Sequence, residues 1–213
     1  MFLNEYERSK ENEDDDSIFY RTPRFAHHLE SKFRSALTKL YRSELQPSSV
    51  ILDLMSSWHS HLPPEIHYQS VIGHGLNEEE LKYNQRLNQY WLQDLNKNQN
   101  LPLDNNSIDY CLIVAGWQYL QYPEKITSEL LRVVKEQGKL IVSFSNRAFW
   151  DKAPMIWVER NDQQRVEYVE QILIQNQWKN IKSIQINNNN HLLSRLFGKF
   201  SDPFLSVIAK KTK

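Results

Sequence analysis

Residues able to do chemistry gather after one apolar run. Val50-Ile51-Leu52-Asp53-Leu54 reads as a buried strand carrying an acid near its end, and Met55-Ser56-Ser57-Trp58-His59 follows it. Ser56 and Ser57 present hydroxyls able to donate to a carboxylate. Trp58 is suited equally to covering a ligand and to packing inward, since large aromatics bury by default. His59, His61, His67 and His74 follow, but no Cys or Glu completes a metal-binding spacing with them. A metal needs three or four converging ligands, so none is expected. His27-His28 falls at the start of a helical pattern and reads as a solvent-facing or cap-region pair. There is no Gly-x-Ser-x-Gly elbow, P-loop or zinc pattern. Ser56 lacks the strand-turn-helix setting of a nucleophile.

The elements that must hold these residues alternate between strand and helix patterns. Leu29, Phe33, Ala36, Leu37, Leu40 and Tyr41 recur at helical spacing before Pro47. Strands are predicted at residues 50–54, 70–72, 89–94, 110–115, 139–144, 181–186 and 204–209. Asn77-Glu78-Glu79-Glu80 has the spacing of a capping box and predicts a helix over 78–84. Helices are also predicted over 124–135 and 162–175, with a turn at Gln137-Gly138. A further short helix is predicted over 191–200, after the loop Asn187-Asn188-Asn189-Asn190. Pro63-Pro64 limits any helix after the Met55–His59 loop, because proline cannot sit in a helix interior. The economical fold is α/β: a mostly parallel sheet covered by helices on both faces.

The bulk composition narrows the class. The 213 residues suit one domain with a full core, and 40% hydrophobic with 12% aromatic residues give ample packing material. Lys+Arg and Asp+Glu both number 26, so the formal charge is zero. A nucleic-acid partner normally requires a basic excess, and none is expected. No apolar run approaches the ~18 residues that span a bilayer, so no membrane partner is expected either. Cys111 is the single cysteine and reads as a small core residue. A soluble, cytoplasmic setting is the default expectation. Residues 1–17, with Asp14-Asp15-Asp16, read as a solvated acidic arm. Residues 18–47 read as a lead-in segment with one helix, and residues 48–213 as the α/β domain.

From residue 48 onward the chain resembles class I S-adenosylmethionine (SAM) dependent methyltransferases of the type 11 kind. The match is carried by Val71-Ile72-Gly73-His74-Gly75-Leu76-Asn77, by Leu101-Pro102-Leu103-Asp104-Asn105-Asn106-Ser107-Ile108-Asp109-Tyr110, and by Leu131 to Leu140. The second segment is the most specific, being similar to the family's Leu-Pro-x-x-Asp-x-Ser-Phe-Asp approach to its fourth strand. The first strand departs from the pattern. Where the family has apolar-Asp-apolar-Gly-x-Gly-x-Gly, the three glycine positions hold Met55, Ser57 and His59. Glycines there let backbone approach the ligand closely.

The resemblance implies a Rossmann-like three-layer sandwich, with a mostly parallel seven-stranded sheet and an antiparallel last strand, and a SAM site assembled from strand ends. Asp53 orders the first loop or reaches the donor's amino group, beside Met55, Ser56 and Ser57. The family's ribose-binding acid falls at Gly75, with Asn77 two residues on. Asp94 falls where an Asp accepts from the adenine amino group, next to Leu95, and Ala115 closes the pocket wall. Trp117, Gln118 and Tyr119 are the implied substrate contacts. Arg147 is a rim position able to hold an anionic substrate bidentately. His59, His61 and Tyr119 are the candidate bases, and spacing singles out none, so the catalytic residue stays unassigned. A methyltransferase acting on a small molecule, a non-catalytic binding or assembly protein of the same fold, and an enzyme using another adenine-containing ligand all remain open at this point. So does the oligomeric state.

Overall fold

The computed structural model of the protein describes residues 3–186 and 202–212. Seven strands form one sheet: β1 (Val50–Leu54), β2 (Ser70–Gly75), β3 (Gln89–Leu92), β4 (Ile108–Val114), β5 (Val134–Phe144), β6 (Lys179–Ile186) and β7 (Phe204–Lys210). Their order is β3-β2-β1-β4-β5-β7-β6. The first five are parallel, and β7 runs antiparallel to both β5 and β6. This is the expected sheet, with its antiparallel last strand slotted between β5 and β6. Because β1 lies between β2 and β4, the connections diverge at its carboxyl end. A crevice opens there, which is where open α/β sheets bind ligands.

Strand alternation sends side chains to two faces. Ile51, Val71, Leu112, Ile141 and Ile208 pack with Phe33, Leu37 and Tyr41 of α3 (Ser31–Glu44). Leu52, Leu54, Ile113 and Val142 pack on the other side with α5 (Pro123–Val133) and α7 (Asp162–Gln175). Cys111 is buried in that second layer, as expected. The third layer completes the sandwich predicted from the pattern.

Several local features differ from the sequence reading. Gln137-Gly138 is not a turn before a strand but an irregularity inside β5, which begins at Val134. Ile108 pairs with Val134 and Tyr110 already with Lys139, so the extra residues loop out. A Cβ at Gly138 would stand 2.5 Å from Val134 Cγ1, which explains the glycine. Residues 55–69 contain no helix at all, so the face beside β1 is covered by α3 instead. At α4 (Glu78–Tyr83), Asn77 caps by accepting from the Glu80 amide at 3.0 Å. The Glu80 carboxylate does not return to Asn77, and its partners lie elsewhere. The helix predicted over 191–200 and the asparagine loop before it fall outside the described residues.

The acidic N-terminus is packed rather than solvated. It forms α1 (Glu5–Arg8) and α2 (Asp16–Phe19) against the segment that carries α6 (Met155–Val158). Met155 N donates to Ser9 O, and Asn12 N to Asp151 O. Asp16 is buried, accepts from Lys10 Nζ at 2.6 Å and stands 3.4 Å from Lys152 Nζ. Lys152, with a side chain 1% exposed, also donates to Asp14 O at 2.6 Å and Asn12 Oδ1 at 3.1 Å. Charge runs read as solvated because sequence does not show which lysine will meet them. No helix among the described residues is long and apolar enough to cross a membrane.

Removing one partner of a buried ion group strands the others, at about 3–5 kcal/mol. Asp16→Ala is therefore expected to lower the unfolding free energy by about that amount in urea titration. A loss below about 1 kcal/mol would show that the two ammonium groups find other partners or water.

Candidate functional site

The loop after β1 is closed by Asp53. This carboxylate is buried, and its Oδ2 accepts from Ser56 Oγ at 2.7 Å and Ser60 Oγ at 2.5 Å. Burial pushes the Asp53 carboxyl above its usual range, and the two serine donors pull it part of the way back. Met55 takes φ 60°, the left-handed region that favours glycine. The backbone thus keeps a glycine-like bend at the first lost glycine, with a side chain added.

His74 on β2 holds that bend. Its Nδ1 accepts from Met55 N at 3.1 Å, and its Nε2 lies 2.9 Å from Gln93 O. These partners assign the neutral tautomer with the proton on Nε2. Burial drives its pKa down to about 4. Ser56 N donates to His74 O, also joining the loop to β2. In the sequence His74 stands out only as a poor candidate metal ligand, because its bond to Met55 N depends on a contact between β1 and β2 that spacing does not show.

The missing glycines have counterparts across the contact. A Cβ at Gly75 would stand 2.6 Å from Ser56 O, and one at Gly116 would stand 2.8 Å from Met55 Cβ. The loop presses against these two positions, so they must be glycine. Gly75 and the Met55-Ser56 loop are therefore one coupled change rather than two separate losses. The serine hydroxyls are also committed inward: Ser56 to Asp53, and Ser57 to Glu80 Oε2. They do not point as free donors toward a ligand carboxylate.

A cavity of about 590 Å³ runs along the strand ends. From β1 it takes Asp53, Met55, Ser56 and Ser57, and from β2 Gly75 and Asn77. From β3 it takes Asp94 and Leu95, and from β4 Ala115, Gln118 and Tyr119. Arg147 and Phe149 follow β5 into the same lining. Asp94 Oδ1 accepts from Asn96 N at 2.9 Å, and Leu95 is buried beside it. Trp117 is absent from the lining and is 1% exposed within the core, contrary to its expected place as a substrate contact. The short 3₁₀ turn over residues 117–119 points it inward while its neighbours face the cavity. Trp58 takes the opposite course. It lines the cavity, stacks 4.7 Å from His27, and donates to Ala26 O at 3.3 Å.

Arg147 is not the free rim cation expected. Its Nε donates to Asp202 Oδ1 at 2.5 Å and its Nη2 to Glu30 Oε1 at 3.1 Å, tying three elements together. Tyr119 is equally unsuited to act as a base. Burial raises its phenol to about 12, and its oxygen accepts from Phe149 N at 3.0 Å. His59 and His61 are held below the usual imidazole range, first by burial and then by neighbouring cationic groups, His61 at about 3. Among the described residues no group of three or more His, Cys, Asp or Glu is placed to hold a metal.

A strap between α2 and α3 covers the cavity, contributing Tyr20, Arg24, His27 and His28. Asn77 Nδ2 donates to Tyr20 O at 2.9 Å and Arg21 O at 3.0 Å, so this residue caps α4 and pins the strap. Glu80 Oε1 accepts from Arg24 N at 2.7 Å while Oε2 holds Ser57. The Arg24 guanidinium lies 4.6 Å from the Phe19 ring and 5.4 Å from Phe149. The aromatic residues around Pro23 were the only sequence signal for this cover.

Comparison with known proteins agrees with this fold. Residues 58–142 match the family model described as "Methyltransferase domain". A SAM-dependent methyltransferase from Archaeoglobus fulgidus superposes with TM-score 0.58 at 15% identity, covering 85% of this chain and 97% of that one. Phosphoethanolamine N-methyltransferase 2 from Haemonchus contortus, solved with S-adenosyl-L-methionine, gives 0.59 at 14% identity over 86% and 53%. The [4+2]-cyclase SpnF gives 0.63 at 12% identity over 89% of each chain. No curated protein matches the chain in sequence. The fold is that of class I methyltransferases, and the resemblance read from the sequence holds.

Restoring the family's acid at Gly75 is expected to harm the protein. In Gly75→Asp the new Cβ meets the Ser56 carbonyl, and overpacking of this kind costs about 1–3 kcal/mol, visible as a lower melting temperature. An unchanged melting temperature would show that the loop yields freely. Acid should also destabilise the wild type. His74 and His61 bind protons more weakly folded than unfolded, at about 4 and about 3 against an ordinary 6.5. The unfolded chain therefore takes up more protons as pH falls below about 6.5, and stability declines from there toward those values. His74→Gln should flatten the decline by up to one proton, about 1.4 kcal/mol per pH unit. An unaltered slope of unfolding free energy against pH would refute His74 as the neutral clasp.

Proposed function

We propose that this chain, which has the class I methyltransferase fold and a methyltransferase-domain match through its middle, binds SAM and methylates a small molecule. The observation that carries the reading is the single cavity joining the ends of β1, β2, β3, β4 and β5, with Asp94 and Leu95 in its wall. Its volume of about 590 Å³ lies within the range of small-molecule sites. At the β3 end a carboxylate is present to accept from an adenine amino group. At the β2 end the ribose acid is missing, so affinity there rests on weaker groups such as backbone. A charge-assisted pair lost at that point is worth about 1.5–3 kcal/mol, which weakens binding without abolishing it.

When bound, the donor supplies a sulfonium whose methyl group is already activated for transfer. The chain's own residues then have to orient and enclose. Asp94 and Leu95 fix the adenine, and Asp53 with its serines fixes the loop. The backbone amides of Ser57, Trp58 and His59 donate to no acceptor among the described residues, which leaves them available to the methionine end of the donor. Holding acceptor and methyl in line supplies most of the rate in such a reaction. Tyr20, Tyr119 and Phe149 keep water out of the reaction space under the strap. The neutral imidazoles of His59 and His61 stand at the cavity to take a proton from a hydroxyl or amine acceptor, whereas Tyr119 stays protonated. A zero net charge and a cavity of about 590 Å³ fit a small acceptor.

A second reading, a non-catalytic binding or assembly module, draws on the inward commitment of Ser56 and Ser57 and on the glycine at position 75. Thermal unfolding with S-adenosylhomocysteine separates the two. At a hundredfold excess over its dissociation constant a ligand adds about 2.7 kcal/mol, a rise of several degrees for a chain of this size. Asp94→Ala is expected to remove most of that rise. No rise at millimolar ligand would sink the cofactor reading and favour the binding module.

A further inference from the structure

One end of the cavity holds polar groups that have no partners among the described residues. Arg34 and Tyr41 lie seven residues apart on α3, two helical turns along one face, and both line the cavity. Between them Thr38 Oγ1 donates to His61 O at 3.0 Å, which locks the loop after β1 onto the helix. Arg34 makes no ion pair among the described residues, and its Nε is buried with no acceptor. The Tyr41 hydroxyl is also buried with no partner among the described residues, in a residue 1% exposed. Burial holds that phenol well above its usual range, so it remains a donor.

Imidazoles face Arg34 from the strap and from the loop. The His59 ring lies 5.5 Å from His27 and 4.9 Å from His61, and none of the three makes a hydrogen bond through its ring nitrogens among the described residues. The carboxylates in the cavity wall are already engaged. Asp53 holds Ser56 and Ser60, Glu80 holds Ser57 and Arg24 N, Asp94 accepts from Asn96 N, and Asp16 pairs with Lys10. Among the described residues a guanidinium is thus left without a countercharge beside three nitrogen-rich rings. A sheet of this order normally has a helix N-terminus after β1 to attract an anion. Residues 55–69 hold no helix, so the positive charge comes from α3.

We propose that Arg34, with the imidazoles of His59 and His61, forms a subsite for a carboxylate or phosphate group of a bound small molecule. The anion pairs with the guanidinium and accepts from ring N–H groups, while the Tyr41 hydroxyl, deeper on the same face, meets a polar atom of the same ligand. Two sources share this chemistry: the amino-acid carboxylate of the methyl donor, and an anionic group on the acceptor. The first source rests on the cofactor reading above, and the second does not.

Calorimetric titration of the full chain and of Arg34→Met, with S-adenosylhomocysteine, 5′-methylthioadenosine and inorganic phosphate, decides the matter. Methylthioadenosine keeps the adenine and ribose but lacks the amino-acid end. If the donor carboxylate sits at Arg34, the variant binds S-adenosylhomocysteine at least tenfold more weakly and methylthioadenosine as the wild type does. If the acceptor's anion sits there, S-adenosylhomocysteine affinity is unchanged and phosphate binding, present in the wild type, falls at least fivefold. Arg34→Lys should restore part of either loss. Wild-type affinity of the variant for both S-adenosylhomocysteine and phosphate, or no phosphate binding alongside unchanged S-adenosylhomocysteine affinity, overturns the subsite. A wild type that binds neither adenosine ligand sinks the cofactor reading, and the phosphate titration then decides the subsite alone: an Arg34-dependent affinity upholds it, and no such affinity overturns it. Because the Arg34 side chain has no partner to lose among the described residues, equal melting temperatures of the two unliganded proteins are expected.

Discussion

Asp53 closes the loop after β1 by accepting from Ser56 and Ser60, and the rest of the cleft is arranged around that closed loop. A buried carboxylate must be satisfied by donors or it neutralises. Here the donors come from the loop itself, so satisfying the charge folds residues 55–60 back over the end of β1. Asn84 reaches both Ser57 O and Ser60 Oγ at 2.8 Å, and Glu80 takes Ser57 Oγ. The loop, α4 and the strap become one hydrogen-bonded unit. Such networks hold geometry well because each member's loss leaves another group buried and unpaired.

The closed loop dictates its neighbours. It needs space beside β2 and β4, and Gly75 and Gly116 provide it by having no side chain. It needs a support for the left-handed turn at Met55, and the neutral His74 ring provides one. The same crowding removes the position from which an acid would hold a ribose. With no helix after β1, covering that face falls to α3, which brings Arg34 and Tyr41 to the cavity. A change in one loop thereby alters the polarity of the whole far end of the site.

Legibility in the sequence followed the range of the interactions involved. Strands β1, β4 and β7 were readable because continuous apolar runs report burial on both faces. α7 was readable because an N-cap residue stands directly before it, and the structure shows Asn161 in that role, capping reciprocally with Gln164. The early start of β5 was not, since the irregularity at Gln137-Gly138 depends on the register against β4. Cleft residues named from the family pattern mostly line the cavity, including Asp53, Asp94 and Gln118. Trp117 does not, because a 3₁₀ turn decides which way an aromatic faces. Arg147 lines it with its charge already spent on Asp202 and Glu30, partners far away in the chain.

The sequence by itself determined the layered α/β architecture, the position of the cleft at the end of β1, and the departure from the glycine pattern. These depend on local periodicity and on residue types at short spacing. Only the tertiary structure decided that Gly75 and the Met55-Ser56 loop are the two sides of one contact, that the N-terminal arm is packed around Asp16 and Lys152, and that residues 20–28 cover the site. It also decided that, among the described residues, Arg34 is left without a side-chain partner where Arg147 is not. Each of these turns on which groups meet across long stretches of chain, and a charge or a glycine acquires its meaning only from what folds against it.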